Sequence, residues 1–171
     1  MYKILITLLL TSATLANTYF CNEEVGKLPT LQGGRVKPIS VQAKESIKHL
    51  SGKKGYGDYS ATVTYCLLTA QSLGLTNDIK LTTRIEHERT RELLDGKHEI
   101  EFSALMQDQA LLRTSMMREK EENGFKKELQ RLLSKINLYT DITNGTNWQI
   151  PQSTGDDISW IPLSSYMTET K

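Results

Sequence analysis

The chain has 171 residues, with 21 lysines and arginines against 20 aspartates and glutamates and a formal net charge of +1. A balance so close to zero carries no electrostatic footprint for nucleic acid or anionic lipid. The length suits one domain with a sizeable core, and no apolar stretch approaches the roughly 20 residues of a membrane span.

Chain order begins with Met1, Tyr2 and Lys3, then an apolar run from Ile4 to Leu10, then small residues from Thr11 to Ala16. One positive charge, a short apolar stretch and a small residue at a cleavage point are the three parts of a secretory signal peptide. Residues 1–16 are read as that signal, with cleavage after Ala16. The working part, residues 17–171, is expected as a single domain in the periplasm or otherwise outside the cytoplasm, with no transmembrane segment once the signal is removed. The alternatives are an N-terminal helix that stays on the protein and lipid attachment at Cys21. The bulky Tyr19 and Phe20 before Cys21 argue against the latter. Outside the cytoplasm Cys21 and Cys66 can close a disulfide. The other reading has Cys66 as a small buried apolar residue and Cys21 in a frayed end.

Residues 17–38, with Pro29, Gly33, Gly34 and Pro38, read as an irregular, extended segment. Ser40 is positioned to cap a helix whose apolar face is Ala43, Ile47 and Leu50, and Gly52 ends it. A glycine-rich turn over 52–57 leads to Asp58, a candidate cap for a second helix with the stripe Tyr59, Val63, Cys66, Leu67, Ala70 and Leu73. Gly74 stands where a left-handed C-cap belongs, and Leu75 where it folds back on the helix end. Ile79, Leu81, Thr83 and Ile85 alternate with polar residues, as do His98, Ile100 and Phe102, which predicts two short strands free to pair. A short helix from Glu88 to Leu94 lies between them and stops at Gly96.

Ser103 is placed to cap a long helical region broken near Asn123-Gly124. Its first part buries Leu105, Leu112 and Met116. Its second part buries Phe125, Leu129, Leu132, Ile136 and Tyr139, and Glu122 and Lys126 form an i,i+4 pair. Trp148, Ile150, Pro151, Trp160, Ile161 and Pro162 mark an extended tail that wraps over the helices. The expected fold is mostly α with a small two-stranded β element, an α+β class: an irregular N-terminal segment, a helical core with long C-terminal helices, and a wrapping Trp/Pro tail.

No catalytic or metal-binding constellation is present, so neither an enzyme nor a metal site is expected. His49, His87 and His98 lack signature neighbours, and Glu86-His87-Glu88 lacks the second histidine of a zinc protease helix. There is no Cys-x-x-Cys, no nucleophile elbow and no nucleotide-binding glycine loop. Asn144-Gly145-Thr146 matches a glycosylation sequon, of consequence only in a eukaryotic secretory path. No cofactor is expected. An axial haem ligand requires only one or two imidazoles in an apolar pocket, and the sequence neither supports nor excludes one.

The stretch Leu28-Pro29-Thr30-Leu31-Gln32-Gly33-Gly34-Arg35-Val36-Lys37-Pro38, followed by a helix ending at Leu50-Ser51-Gly52-Lys53, carries a likeness. It resembles the extracytoplasmic segment of System II cytochrome c biogenesis proteins of the CcsB–CcsA (ResB–ResC) type, where a Gly-Arg-hydrophobic-Lys-Pro motif precedes such a helix. The later order of elements is similar: a strand at Ile79 to Ile85, a helix start at Phe102-Ser103, a long charged helix, then Ile150-Pro151 and Trp160. The chain departs in lacking the multi-span membrane part, its tryptophan-rich haem-handling motif and its membrane histidines. Ser40-Val41 also stands where those proteins usually have an acidic or polar residue and Thr. The resemblance implies a non-enzymatic accessory domain in c-type cytochrome maturation, partnered by a membrane cytochrome c biogenesis protein or an apocytochrome. The alternative is a generic periplasmic interaction or ligand-binding module. The candidate binding residues are Gly33, Gly34, Arg35, Lys37 and Pro38. The glycines are read as permitting close backbone approach and Pro38 as fixing the entry to the helix. Arg35 is read as a carboxylate clamp, on an acidic side chain of the same domain or on a haem propionate.

Overall fold

The computed structural model describes residues 20–71, 79–155 and 157–168. The signal peptide with its cleavage point, and Leu73, Gly74 and Leu75 at the end of the second helix, lie outside the described residues.

The mostly helical α+β class is what the chain adopts, with four antiparallel two-strand ladders among the described residues rather than one. One 3-10 turn, Glu23–Lys27, opens the described chain. The segment read as irregular is in fact a hairpin. Strands β1 (Pro29–Gln32) and β2 (Arg35–Pro38) pair with Leu31 opposite Val36 and Pro29 opposite Pro38. Gly33 and Gly34 form its two-residue turn with φ of 57° and 75°, the pair of positive values that the tightest hairpin connection demands. The prolines read as breakers sit at the open end of the ladder, where a missing amide costs little.

Helix α1 (Ile39–Ser51) starts one residue before Ser40. Its N-cap is Pro38, without a side-chain bond, so the expected Ser40 cap is not made. Ala43, Ile47 and Leu50 are fully buried as their spacing predicts, and Gly52 closes the helix in the left-handed conformation at φ 73°. Strands β3 (Gly55–Tyr56) and β4 (Tyr59–Ser60) form a second tight hairpin around Gly57-Asp58. Asp58 is therefore in a turn and does not cap the next helix. That role falls to Ser60, whose Oγ accepts from the Val63 amide at 3.3 Å.

Helix α2 (Ala61–Gln71) lacks the one-sided stripe read from its sequence. Residues 61, 62 and 64–70 are all buried, so the helix is enclosed rather than amphipathic. Its threonines are accommodated by local bonds: Thr64 Oγ1 donates to Ser60 O at 2.7 Å, and Thr69 Oγ1 reaches Ile142 O at 3.1 Å. Cys66 on this helix is bonded to Cys21, both buried, with a Cα–Cα separation of 5.5 Å. Close backbone approach does occur in this region, but at Gly26. A Cβ there would stand 3.0 Å from Ser40 Cβ and from Thr62 Cγ2.

Strands β5 (Thr82–Arg84) and β6 (Glu99–Glu101) pair as their alternation predicts, with Thr83 opposite Ile100. Ile85 N to His98 O and Phe102 N to Leu81 O extend the ladder at both ends. Helix α3 (Glu88–Leu93) lies between them, and Asp95 (φ 59°) and Gly96 (φ 74°) turn the chain back. Helix α4 (Phe102–Gln107) begins at Phe102, and Ser103 instead donates to Glu101 Oε2. The long helical region breaks twice, giving α5 (Gln109–Arg118) and then α6 (Gly124–Thr143), which Asn123 caps through the Lys126 amide at 2.9 Å. Phe125, Leu129, Leu132, Ile136 and Tyr139 are buried, and Tyr139 stacks on Phe102 at 4.6 Å. Glu122 and Lys126 pair at 3.5 Å.

The Trp/Pro tail is regular as well: strands β7 (Gln149–Thr154) and β8 (Asp157–Pro162) form a hairpin, followed by α7 (Leu163–Thr168). A buried polar knot anchors it. Asn147 Oδ1 accepts from Tyr65 OH at 2.9 Å and from Gln42 Nε2, and Asn147 O accepts from Gln42 Nε2 at 2.5 Å. Trp148 is buried against Tyr65 at 6.3 Å between ring centres. α1, α2 and α6 thus form the core, with the β5–β6 ladder covering the end of α1 and the two larger hairpins at the other end.

Candidate functional site

The hairpin β1–β2 is held in place from two sides. Thr30, fully buried, accepts at Oγ1 from the Gln149 amide of β7 at 3.2 Å. Lys37 reaches Glu45 of α1 at 2.5 Å. Gly33 and Gly34 serve the turn, and a Cβ at either position would meet nothing within 4 Å, so close approach is not their role. Pro38 joins the hairpin to α1 with φ −63°. Arg35 is exposed and makes no ion pair among the described residues. The salt bridge expected of Arg35 within the domain is made by Lys37 instead: the two share one face of β2, but Lys37 stands beside the start of α1 and Arg35 at the turn. Opposite Arg35 in the register, Gln32 Oε1 is buried without a hydrogen-bond partner. Val36 and Leu28 flank the motif at 59% and 49% exposure.

A second arrangement escapes the sequence reading. The C-terminal half of α1 meets β5 and α6 at a cleft of about 510 Å³, lined among others by Lys48, His49, Arg84, Glu86, Arg131 and Lys135. Beneath it lie two buried charges on α6. Glu128 accepts from Arg131 through both oxygens, Nε to Oε2 at 2.6 Å and Nη2 to Oε1 at 2.7 Å, and from the Glu86 amide at 2.9 Å. Arg131 also donates to Arg84 O at 3.0 Å. Lys135 has no carboxylate within ion-pair distance among the described residues. Its ammonium donates to Leu50 O at 3.0 Å and Thr83 Oγ1 at 2.8 Å, closing the end of α1 onto β5.

The electrostatics follow from that geometry. Burial raises the Glu128 carboxyl, but the Arg131 fork and the Glu86 amide outweigh it and hold it below the ordinary carboxylate range. Burial, and then the neighbouring Arg131, push the Lys135 ammonium down to about 8. Burial, Lys135 and Arg131 lower His49 as well. One signal for this site is present in the sequence. Glu128, Leu132, Lys135 and Tyr139 are spaced four, three and four, which puts two charges on the buried face of α6.

The Lys135 shift has a measurable sign. Its folded value lies below the roughly 10.4 of an unfolded lysine, so between those values the unfolded chain binds more protons and stability rises with pH. Below about pH 8 the cost of burying the ammonium is fully present. The urea midpoint of the wild type relative to Lys135→Met is expected to climb from pH 7.5 to 9.5. Above pH 10 Tyr65 acts the other way, because burial raises its phenol. A flat difference over that window would show that Lys135 titrates as an exposed lysine.

The other histidines are placed elsewhere. His87 packs on Phe125 at 5.6 Å with its Nδ1 buried and unpartnered, and His98 Nδ1 lies 3.1 Å from Arg91. Among the described residues no group of three or more His, Cys, Asp or Glu is arranged to hold a metal, and no helix is long and apolar enough to cross a membrane. No protein-family model and no curated protein matches the chain.

Proposed function

We propose that this chain is a non-enzymatic periplasmic accessory domain of c-type cytochrome maturation, binding the membrane haem-delivery machinery or the apocytochrome through the β1–β2 hairpin. The observation that carries the reading is the state of Arg35. It sits at the turn of a hairpin fixed to both α1 and β7, exposed, with no acidic partner of its own among the described residues. On a hairpin already fixed to its neighbours, gripping a carboxylate orders only the Arg35 side chain and not the backbone, and its planar fork gains two bonds for that cost. The System II likeness of Gly34-Arg35-Val36-Lys37-Pro38 supplies the pathway. A pair of cysteines bonded to each other suits an exported protein.

Arg35→Ala and Arg35→Lys test this in a strain lacking the chromosomal copy. An exposed side chain without partners contributes within about 0.5 kcal/mol to stability, so both variants are expected to fold as the wild type. Arg35→Ala is expected to leave c-type cytochromes severely depleted on a haem-stained gel, and Arg35→Lys, which lacks the planar fork, to restore them in part. Full restoration by Arg35→Ala would remove the hairpin from the function. Normal c-type cytochromes in the deletion strain would remove the pathway.

The basic cleft favours a second reading, a ligand-binding module whose site lies away from the hairpin.

A further inference from the structure

The cleft between α1, β5 and α6 holds more fixed positive charge than its carboxylates neutralise. Glu45 also lines the cleft but is engaged by Lys37, Glu128 is consumed by Arg131, and Glu86 stands 3.7 Å from the same guanidinium. Lys48 and Arg84 make no ion pair among the described residues, and Lys135 meets only a carbonyl and a hydroxyl there. Lys135 is 5% exposed, yet it lines the cleft with one N–H beyond the two already donated. Arg131 is locked by its fork on Glu128 and its bond to Arg84 O. These donors are therefore oriented before any ligand arrives, which is the condition under which charge-assisted bonds give affinity. Beyond burial, Lys135 and Arg131 lower His49, and Arg131 lowers Lys135 against the opposing pull of Glu128 and Glu86.

We propose that this cleft is an oxyanion-binding site, taking a carboxylate or phosphate group between Lys135 and Arg131 at its floor and Lys48, Arg84 and His49 at its rim. The group is that of a free small anion or of a larger molecule that carries it. The site is separate from the hairpin and does not rest on the maturation role.

The purified protein is titrated with inorganic phosphate and with citrate, at ionic strength held constant with sodium chloride, by calorimetry and thermal unfolding. Saturable binding at one site per chain is expected, with a rise in Tm of about 2 °C or more at saturation. The preferred probe distinguishes phosphate from carboxylate. Lys48→Ala combined with Arg84→Ala removes two exposed side chains and is expected to weaken binding at least about tenfold, roughly 1.4 kcal/mol. The His49 imidazole, followed by NMR, is expected to move to higher pKa on saturation, because the anion cancels the field of Lys48, Arg84, Arg131 and Lys135 that Glu45, Glu86 and Glu128 leave uncompensated. Should the double variant fail to fold, Lys48→Ala alone reads the same loss in smaller measure. No saturable response to either probe, or variants that bind as the wild type does, would overturn the site.

Discussion

Cys66→Ser is expected to lower the unfolding free energy by about 4 kcal/mol. The bond joins residues 45 apart in sequence. Closing a loop of that size restricts the unfolded chain by roughly 4 kcal/mol in the chain-entropy account, and native disulfides in exported domains commonly contribute about 2–5. The loss falls unevenly. Cys21 sits beside the 3-10 turn that packs against α1 and α2, so its release also frees Val25 and Gly26 from their contacts. Urea unfolding of Cys66→Ser and of the Cys21→Ser/Cys66→Ser pair checks this, the pair removing the odd thiol of the single variant. A midpoint for the pair equal to that of the wild type would show that the bond does not stabilise the fold.

Glu128→Ala is expected to cost about 3 kcal/mol. It removes a carboxylate at 6% exposure that satisfies the Arg131 fork and the Glu86 amide together. Deleting the buried carboxylate strands the half-buried Arg131 guanidinium and the Glu86 amide, which is the costly way to break such a pair. Arg131→Ala in the Glu128→Ala background is expected to cost far less than Arg131→Ala alone, giving a coupling of roughly 1–3 kcal/mol. The pH dependence follows the direction of the shift. Glu128 is held below its unfolded value of about 4.3, so its contribution is fully present above that value and is lost as pH falls through the lower, folded one. Wild type and Glu128→Ala should therefore converge in stability as the solution is acidified below about pH 4. A loss under about 1 kcal/mol at pH 7, or no convergence in acid, would mean the pair behaves as a solvent-exposed one.

Both predictions turn on contacts between distant parts of the chain, and that is where sequence reading and structure part. Ala43, Ile47 and Leu50 are legible as a buried face, and so are Phe125 to Tyr139, because helical periodicity is a local property that burial merely fulfils. The alternation of Ile79, Leu81, Thr83 and Ile85 marks the covered strand for the same reason. The hairpins are hard to read where a residue has two meanings. Pro29 and Pro38 break a central strand but suit a ladder end. Gly33-Gly34 allows either close approach or a tight turn, and only the pairing of Leu31 with Val36 selects the turn. Asp58 is a good cap in isolation, yet Gly57 makes it a turn residue and passes the cap to Ser60.

Of the candidate site, the motif picks out the hairpin residues, whereas the placement of the hairpin against α1 is needed to assign the ion pair to Lys37 and leave Arg35 without one among the described residues. The cleft is hidden from the sequence although its charges stand on a recognisable helical face. Whether a lysine at such a position is exposed, paired or buried depends on what faces it. Here the facing groups are Leu50 O and Thr83 Oγ1, 85 and 52 residues away. Local sequence thus determined the helical faces and the covered strand, each set by neighbours along the chain, and composition the near-neutral charge. Tertiary structure alone decided which cations lack an ion pair among the described residues, because an ion pair depends on separation in space rather than in sequence.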